Sequence, residues 1–351
     1  MKELIIISPS SVYGGGESYI ITLVEVLTTR NLRVLCLNDM LYDKLTSLGA
    51  KCELFKSKKD LFLRLVKYAF SPNKKLVFNG LPESRLFAAL FIMKGFLLIT
   101  HSSESWGQGN DRSLRDKLRT RINKFVYDKK STSIIAVCEY AKLNLSSNFK
   151  KANVYKIYNT GDISGITFRE NERDFTFGFM GRLCTEKGID SLIEMLRILD
   201  SSKSNCNLKF VIAGDGPKQK NIEDLINELT TISVSYVGFT APEAFFSQID
   251  CYILPSLTEG CPIAIIEAMS VGIPTIATNV GGVSELITHK ENGFLFEPLD
   301  VKAMSDCILE IASNKSIISE FKVNCLNAHR LNFSKEIFSN SYNGLISKKL
   351  L

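Results

Sequence analysis

The alternation of short apolar runs with helix-length amphipathic segments constrains this 351-residue chain more than any other feature. Apolar runs at 4–8, 33–37, 51–55, 76–78, 96–100, 133–137 and 154–157 are separated by helical patterns such as 18–29 and 112–128. The rhythm resumes at 175–180, 208–213, 234–237, 251–254, 275–277 and 293–296. Runs without polar alternation suit strands buried on both faces. Strands separated by helices cross over and pair in parallel. Two such series predict an α/β chain of two Rossmann-like, doubly wound domains, which its length accommodates. The polar stretch 159–174 is the expected linker. Domain boundaries are therefore expected at 1–160 and 161–330, with 331–351 a C-terminal helix packing back on the first domain. Ligands of such sheets lie beyond the carboxyl ends of the strands, so a cleft between two facing sheets is the expected site.

Composition removes several classes. Apolar residues make up 45% of the chain, ample for packed cores. Nine cysteines are scattered without a C-x-x-C pair, which argues against a zinc ribbon or disulfide framework and for a reducing cytosol. The start, Met-Lys-Glu followed by Leu4-Ile5-Ile6-Ile7, lacks the long apolar region and cleavage site of a signal peptide. The apolar stretch 86–100 is broken by Lys94 and Gly95 and reads as a buried helix followed by a strand. Charge is uneven: residues 1–165 hold 26 basic and 14 acidic side chains, the remainder 17 and 23. Lys56, Lys58, Lys59, Arg64 and Lys67 form one basic cluster, and Arg112, Arg115, Lys117, Arg119, Arg121 and Lys124 a second. Both are interleaved with apolar residues, a pattern suited to an anionic membrane surface or a phosphorylated acceptor, and equally to a solvated helix face. No nucleic-acid recognition motif is present. The expectation is a cytoplasmic protein, peripheral on the inner face of the cell membrane.

The segment Glu259-Gly260-Cys261-Pro262-Ile263-Ala264-Ile265-Ile266-Glu267 holds the most specific chemistry. Pro262 suits the first turn of a helix, and the apolar surroundings of Glu267 predict burial. A buried carboxylate is costly unless hydrogen-bonded. One glutamate at the helix mouth and one inside could grip two hydroxyl-rich parts of a long ligand; a capping acid and a paired core acid would look the same. If the stretch is fully helical, the two lie about 12 Å apart. Arg182 falls at the end of a strand and Lys187 at the start of a helix, where a cation opposes the dipole. Convergence on a diphosphate accounts for both; pairing of Lys187 with Glu186 or Asp190 is the alternative. Gly14-Gly15-Gly16-Glu17, between a strand and a helix, admits an anion close to the backbone or simply a tight turn. Gly214-Asp215-Gly216-Pro217 and Gly281-Gly282 read as structural turns, and the backbone near Gly238-Phe239 could hold a nucleobase. His101 ends a strand at the ligand face, where it could bond a sugar hydroxyl. His289 and His329 look surface-facing and receive no role. No Asp-x-Asp occurs, so no metal is expected and fixed cations would neutralise a diphosphate.

Taken together these residues resemble the retaining, two-Rossmann-domain glycosyltransferases of family 4, with the GT-B fold. The glycine loop resembles that family's first-strand loop, and Arg182 and Lys187 lie in a segment similar to its G-R-x-x-x-x-K-G clamp. Gly214-Asp215-Gly216-Pro217, Pro255-Ser256 and Gly281-Gly282-Val283-Ser284-Glu285 look like further signatures. Glu259 and Glu267 match its E-x7-E motif. Tyr158-Asn159-Thr160-Gly161-Asp162 departs from the usual P-N-G-[IV]-D, and Cys261 occupies a variable position.

The resemblance implies roles. Glu267 would bind ribose hydroxyls and Glu259 the donor sugar, which the amides of Gly260, Cys261 and Ile263, beside Pro262, would also face. Gly15 and Gly16 would approach the diphosphate, and His101 the transferred sugar. Transfer would proceed at the front face with retention, Arg182 and Lys187 stabilising charge on the leaving phosphate. The implied donor is a UDP- or GDP-linked hexose or N-acetylhexosamine. The implied acceptor is a glycan or polyprenyl-diphosphate-linked glycan in surface polysaccharide assembly. No cofactor is implied. A synthase or phosphorylase with a soluble acceptor, and a non-catalytic nucleotide-sugar binder, are the rivals.

Overall fold

The computed structural model describes residues 3–27, 31–69, 71, 73–80, 96–101, 121, 124, 125, 128, 131–163, 175–202 and 207–347. These form two compact units, Met1–Asn159 with Lys335–Leu351, and Thr160–Ser334.

The first unit holds β1 (Glu3–Ser8), α1 (Gly15–Val26), β2 (Leu32–Cys36), α2 (Asp39–Ser47), β3 (Lys51–Leu54), α3 (Lys58–Ala69), β4 (Lys74–Asn79), β5 (Phe96–Thr100), β6 (Ser131–Ala136), α4 (Glu139–Asn148) and β7 (Asn153–Lys156). Its sheet runs β3-β2-β1-β4-β5-β6-β7, every pair parallel. Ile6 lies opposite Val34 on one side and Val77 on the other. Ile5, Ile6 and Ile7 are fully buried, as a strand covered on both faces requires. Each such side chain contributes about 1.5–3 kcal/mol.

The second unit continues with β8 (Thr176–Met180), α5 (Ile189–Ser201), β9 (Lys209–Ala213), α6 (Gln219–Glu228), β10 (Ser233–Tyr236), α7 (Pro242–Phe246), β11 (Cys251–Leu254), α8 (Ile263–Ser270), β12 (Thr275–Thr278), β13 (Gly293–Phe296), α9 (Val301–Ser313) and α10 (Ser316–Asn332). Its order is β10-β9-β8-β11-β12-β13, again parallel. The last helix, α11 (Lys335–Ser347), belongs to the first unit. Phe338 and Tyr342 pack edge-on against Tyr19 of α1, the Tyr19 and Tyr342 hydroxyls hydrogen-bond, and Lys335 pairs with Glu25.

In each sheet the strand order reverses once, between β1 and β4 and between β8 and β11. Open α/β sheets bind ligands beyond the carboxyl ends of the strands at such a reversal. Every apolar run predicted as a strand is one, within two residues. Helix 18–29 starts earlier, at Gly15: Gly14 is extended and caps it, and Glu17 in the first turn favours the dipole. Of the predicted helix 112–128, the described residues are Arg121, Lys124, Phe125 and Asp128, all helical. The rest of it, with Arg112, Arg115, Lys117 and Arg119 of the second basic cluster, the apolar segment 86–95 and most of the linker 159–174 lie outside the described residues. Among the described residues, no helix is long and apolar enough to cross a membrane.

Candidate functional site

In the second unit, the loops after β8 and β11 meet at the strand-order reversal. Gly188 makes the approach possible. It is left-handed at φ +71°, and a Cβ there would lie 1.8 Å from the Pro255 carbonyl oxygen. The Leu257 amide donates to the Glu186 carbonyl at 2.9 Å. These contacts carry Lys187 onto the β11 loop, where its Nζ lies 2.7 Å from Glu259 Oε1. The same oxygen accepts from Ser256 Oγ at 2.7 Å. Ser256 is held in turn, its carbonyl accepting from the Thr278 hydroxyl.

The Glu259 side chain is only 7% exposed, so its charge depends on these partners. Neither partner of the alternative reading holds Lys187 in the contacts described: Asp190 binds Lys218 Nζ at 2.6 Å instead. The unfavourable dipole at Lys187 is offset by a carboxylate 72 positions away. Arg182 is exposed, and the Cys184 side chain beside its guanidinium holds its pKa further up.

Two glycine turns brace these loops. The Leu183 amide donates to the Asp215 carbonyl at 2.8 Å, and the Lys218 amide to the Leu183 carbonyl at 2.9 Å. Thus Gly214-Asp215-Gly216-Pro217 supports the Arg182 segment. The Gly282 amide donates to the Gly260 carbonyl at 2.9 Å, and Gly281 backs directly onto Glu259. Both turns are structural, as their sequences suggest. The Gly238 carbonyl accepts from the Gly214 amide at 2.8 Å, and Phe239 stands exposed beside it.

Glu259 precedes the helix, as its place at the helix mouth predicts. Helix α8 starts at Ile263, with Pro262 as its N-cap and Cys261 buried before it. Residues 259–262 are therefore not helical, and the 12 Å spacing does not apply. Both glutamates are partly buried as residues, and the Glu259 side chain is enclosed. Glu259 lies in a loop closed over by Gly281, and Glu267 is covered by a strap, residues 160–163. A Cβ at Gly161 would come 2.7 Å from Glu267 Cγ. The Ile163 amide donates to Ser270 Oγ, which donates to the Glu267 carbonyl. His329 Nε2 lies 3.1 Å from both the Gly161 carbonyl and Asp162 Oδ1.

His329 is thus buried, contrary to the surface placement read from sequence. Phe321, Cys325 and His329 recur every four residues on the buried face of α10, a spacing that could have revealed it. His289 is exposed, and its Nδ1 accepts from the Leu295 amide.

In the first unit, Gly15 and Gly16 open α1 after β1. The buried Glu17 carboxyl accepts from Ser8 Oγ at 3.2 Å, and desolvation raises its pKa. Asn79, at the end of β4, donates from Nδ2 to the Gly16 carbonyl at 3.0 Å. Its Oδ1 lies 2.8 Å from His101 Nε2. An added Cβ at Gly16 would stand 3.5 Å from Asn79 Nδ2 and 3.6 Å from His101 Cδ2. The glycine loop, Asn79 and His101 are therefore one cluster at the reversal of the first sheet. Asn79 was missed from sequence, because only the strand order places β4 beside β1.

Burial pushes the His101 pKa down to about 4. The unfolded value is about 6.5. Between these values the unfolded chain binds the extra proton, so acidification through this window destabilises the fold. From pH 7 to pH 5 the wild-type protein should lose about 2 kcal/mol more stability than His101→Gln. Denaturant titration at both pH values measures this, and equal losses would contradict it.

Residues 166–330 match the family model described as glycosyl transferases group 1. The capsular polysaccharide biosynthesis glycosyltransferase CapM of Staphylococcus aureus is 26% identical, over 53% of this chain and 54% of that protein. An Escherichia coli UDP-Gal:alpha-D-GlcNAc-diphosphoundecaprenol alpha-1,3-galactosyltransferase is 27% identical, over 48% of this chain and 44% of its own. The chain spans less than two thirds of the length of the curated relatives it matches. In fold, the chain is similar to Anabaena HepE in complex with UDP-glucose, with TM-score 0.80, 19% identity and coverage of 99% and 100%. The two parallel-sheet α/β units are those of a GT-B fold.

Proposed function

The segment 166–330 belongs to the glycosyl transferases group 1 family, and from that premise we propose that the whole protein is a retaining glycosyltransferase of surface polysaccharide assembly. It moves a hexose or N-acetylhexosamine from a nucleotide sugar to a glycan acceptor. The observation that carries this reading is the Lys187–Glu259–Ser256 cluster at the strand-order reversal of the second unit.

An enclosed carboxylate bonded to a partly exposed lysine suits a ligand that has hydroxyls and a diphosphate side by side. Glu259 accepts from donor-sugar hydroxyls while Lys187 and Arg182 face the diphosphate. The α8 N-terminus from Gly260 to Ile263, which has no side-chain cap, adds amide donors. Glu267 takes the ribose. Gly15 and Gly16 approach the diphosphate, and His101 the transferred sugar. Cations and amides offset the developing phosphate charge, so magnesium is not required. The name of the Escherichia coli relative, a UDP-Gal enzyme, supports UDP over GDP as the carrier.

Calorimetry of UDP and GDP in EDTA tests the reading. UDP should bind with its affinity unaltered by the chelator. Binding of neither nucleotide, or binding only with magnesium, would overturn it.

The acceptor is lipid-linked in this proposal, as the name of the Escherichia coli relative indicates for that enzyme. On α3, Lys59 and Lys67 are exposed beside Leu63, whereas Arg64 is engaged by Glu53 at 2.8 Å. Anionic liposomes should retain the protein at low salt and release it at high salt. No retention at low salt would remove the membrane surface from the proposal.

A further inference from the structure

We propose that Asn79 fixes His101 as the neutral Nε2–H tautomer and so presents Nδ1 as a hydrogen-bond acceptor, which makes Asn79 a positioning residue of the transfer site. The functional half of this statement rests on the proposed transfer reaction; the tautomer does not.

The deduction follows from hydrogen-bond polarity. The Gly16 carbonyl can only accept, so the Asn79 group 3.0 Å from it is the amide nitrogen. The carbonyl of the same side chain therefore faces His101 Nε2 at 2.8 Å. A carbonyl oxygen can only accept as well, so Nε2 carries the hydrogen. In a neutral ring Nδ1 then has a lone pair. Burial disfavours the second proton, in agreement with this geometry.

The ring is held from another side. Tyr19 packs against it edge-on at 5.0 Å between centroids and 80° between planes. Tyr19 is fixed in turn by Phe338 and by the Tyr342 hydroxyl, both on α11. The C-terminal helix thereby supports the histidine through one intervening ring.

The consequence is selective. A bare Nδ1 accepts from a hydroxyl or amide N–H and repels a phosphate oxygen. His101 is thus set for the sugar portion of a donor or acceptor rather than for its diphosphate. A protonated ring would lose this preference.

The test is nitrogen NMR of protein labelled with 15N-histidine at pH 7, with His101→Gln identifying the signal among three histidines. The wild-type spectrum should show a protonated Nε2 and a bare Nδ1 at His101. Asn79→Leu should produce a mixture of tautomers. Asn79→Asp places a carboxylate beside the ring and should raise its titration midpoint by one unit or more. A wild-type Nδ1–H form would overturn the proposal, as would an unmoved midpoint in Asn79→Asp. Because that variant and the wild type decide the matter, failure of Asn79→Leu to fold does not.

With UDP-glucose as probe, Asn79→Leu should lower kcat at least tenfold with KM within twofold; an unchanged kcat would overturn the positioning role. A wild-type protein inactive on UDP-glucose would count against the proposed reaction with that donor. The ring spectrum would still decide the tautomer.

Discussion

Lys187→Ala should abolish calorimetric binding of UDP and destabilise the second unit by about 1–3 kcal/mol. Lys187 is the cation bonded to the enclosed Glu259 carboxylate. Without it that charge retains only the Ser256 hydroxyl among the partners described above. Breaking a buried pair from one side is costly because the other charge stays desolvated. The partial exposure of Lys187 places the effect below the about 3–5 kcal/mol of fully buried pairs.

The double variant Lys187→Ala/Glu259→Gln separates the two roles. A neutral amide no longer needs the lysine, so most of the lost stability should return while UDP binding does not. Denaturant unfolding and calorimetry on the same samples read both. Wild-type affinity in Lys187→Ala would remove the lysine from the site. If stability fails to return in the double variant, the ion pair is not what the single substitution broke.

Gly281→Ala should cost about 3 kcal/mol or more and weaken UDP binding at least tenfold. Its φ is +57°, a conformation that costs an alanine about 1–2 kcal/mol by itself. The larger effect is contact: the new Cβ would lie 1.8 Å from the Glu259 carbonyl oxygen. Backbone cannot yield there without displacing Glu259 from Lys187, and forced packing of this kind typically costs a further 1–3 kcal/mol.

Gly238→Ala is the control. Its φ is +67°, yet nothing lies within 4 Å of the added methyl, so only the backbone penalty of about 1 kcal/mol should appear. Comparable destabilisation in both variants would mean that the close approach does not matter.

Much of the fold is legible in the chain. Strands buried on both faces announce themselves as unbroken apolar runs, and their turns are marked by glycine. The ends of β8 and β11 could therefore be located, and with them Arg182, Lys187 and Glu259 as residues of strand-end loops. The errors share a cause. The burial read for Glu267 rests on its apolar neighbours in sequence, yet Glu267 is only partly buried, while Glu259 sits in a loop shaped by Gly281, far along the chain. Placing His329 at the surface overlooked its four-residue spacing from Cys325 and Phe321. It also could not foresee the strap at Gly161 and Asp162 that this histidine binds.

Two series of parallel strands, and the side chains at their carboxyl ends, are readable from the order of residues alone, because hydrophobic periodicity and turn chemistry act over a few residues. The folded chain alone reveals that Lys187 pairs with Glu259, that Asn79 joins Gly16 to His101, and that His329 holds the strap over α8. These contacts depend on strand order. Order is set by how whole βαβ units pack, which no local pattern in the chain encodes.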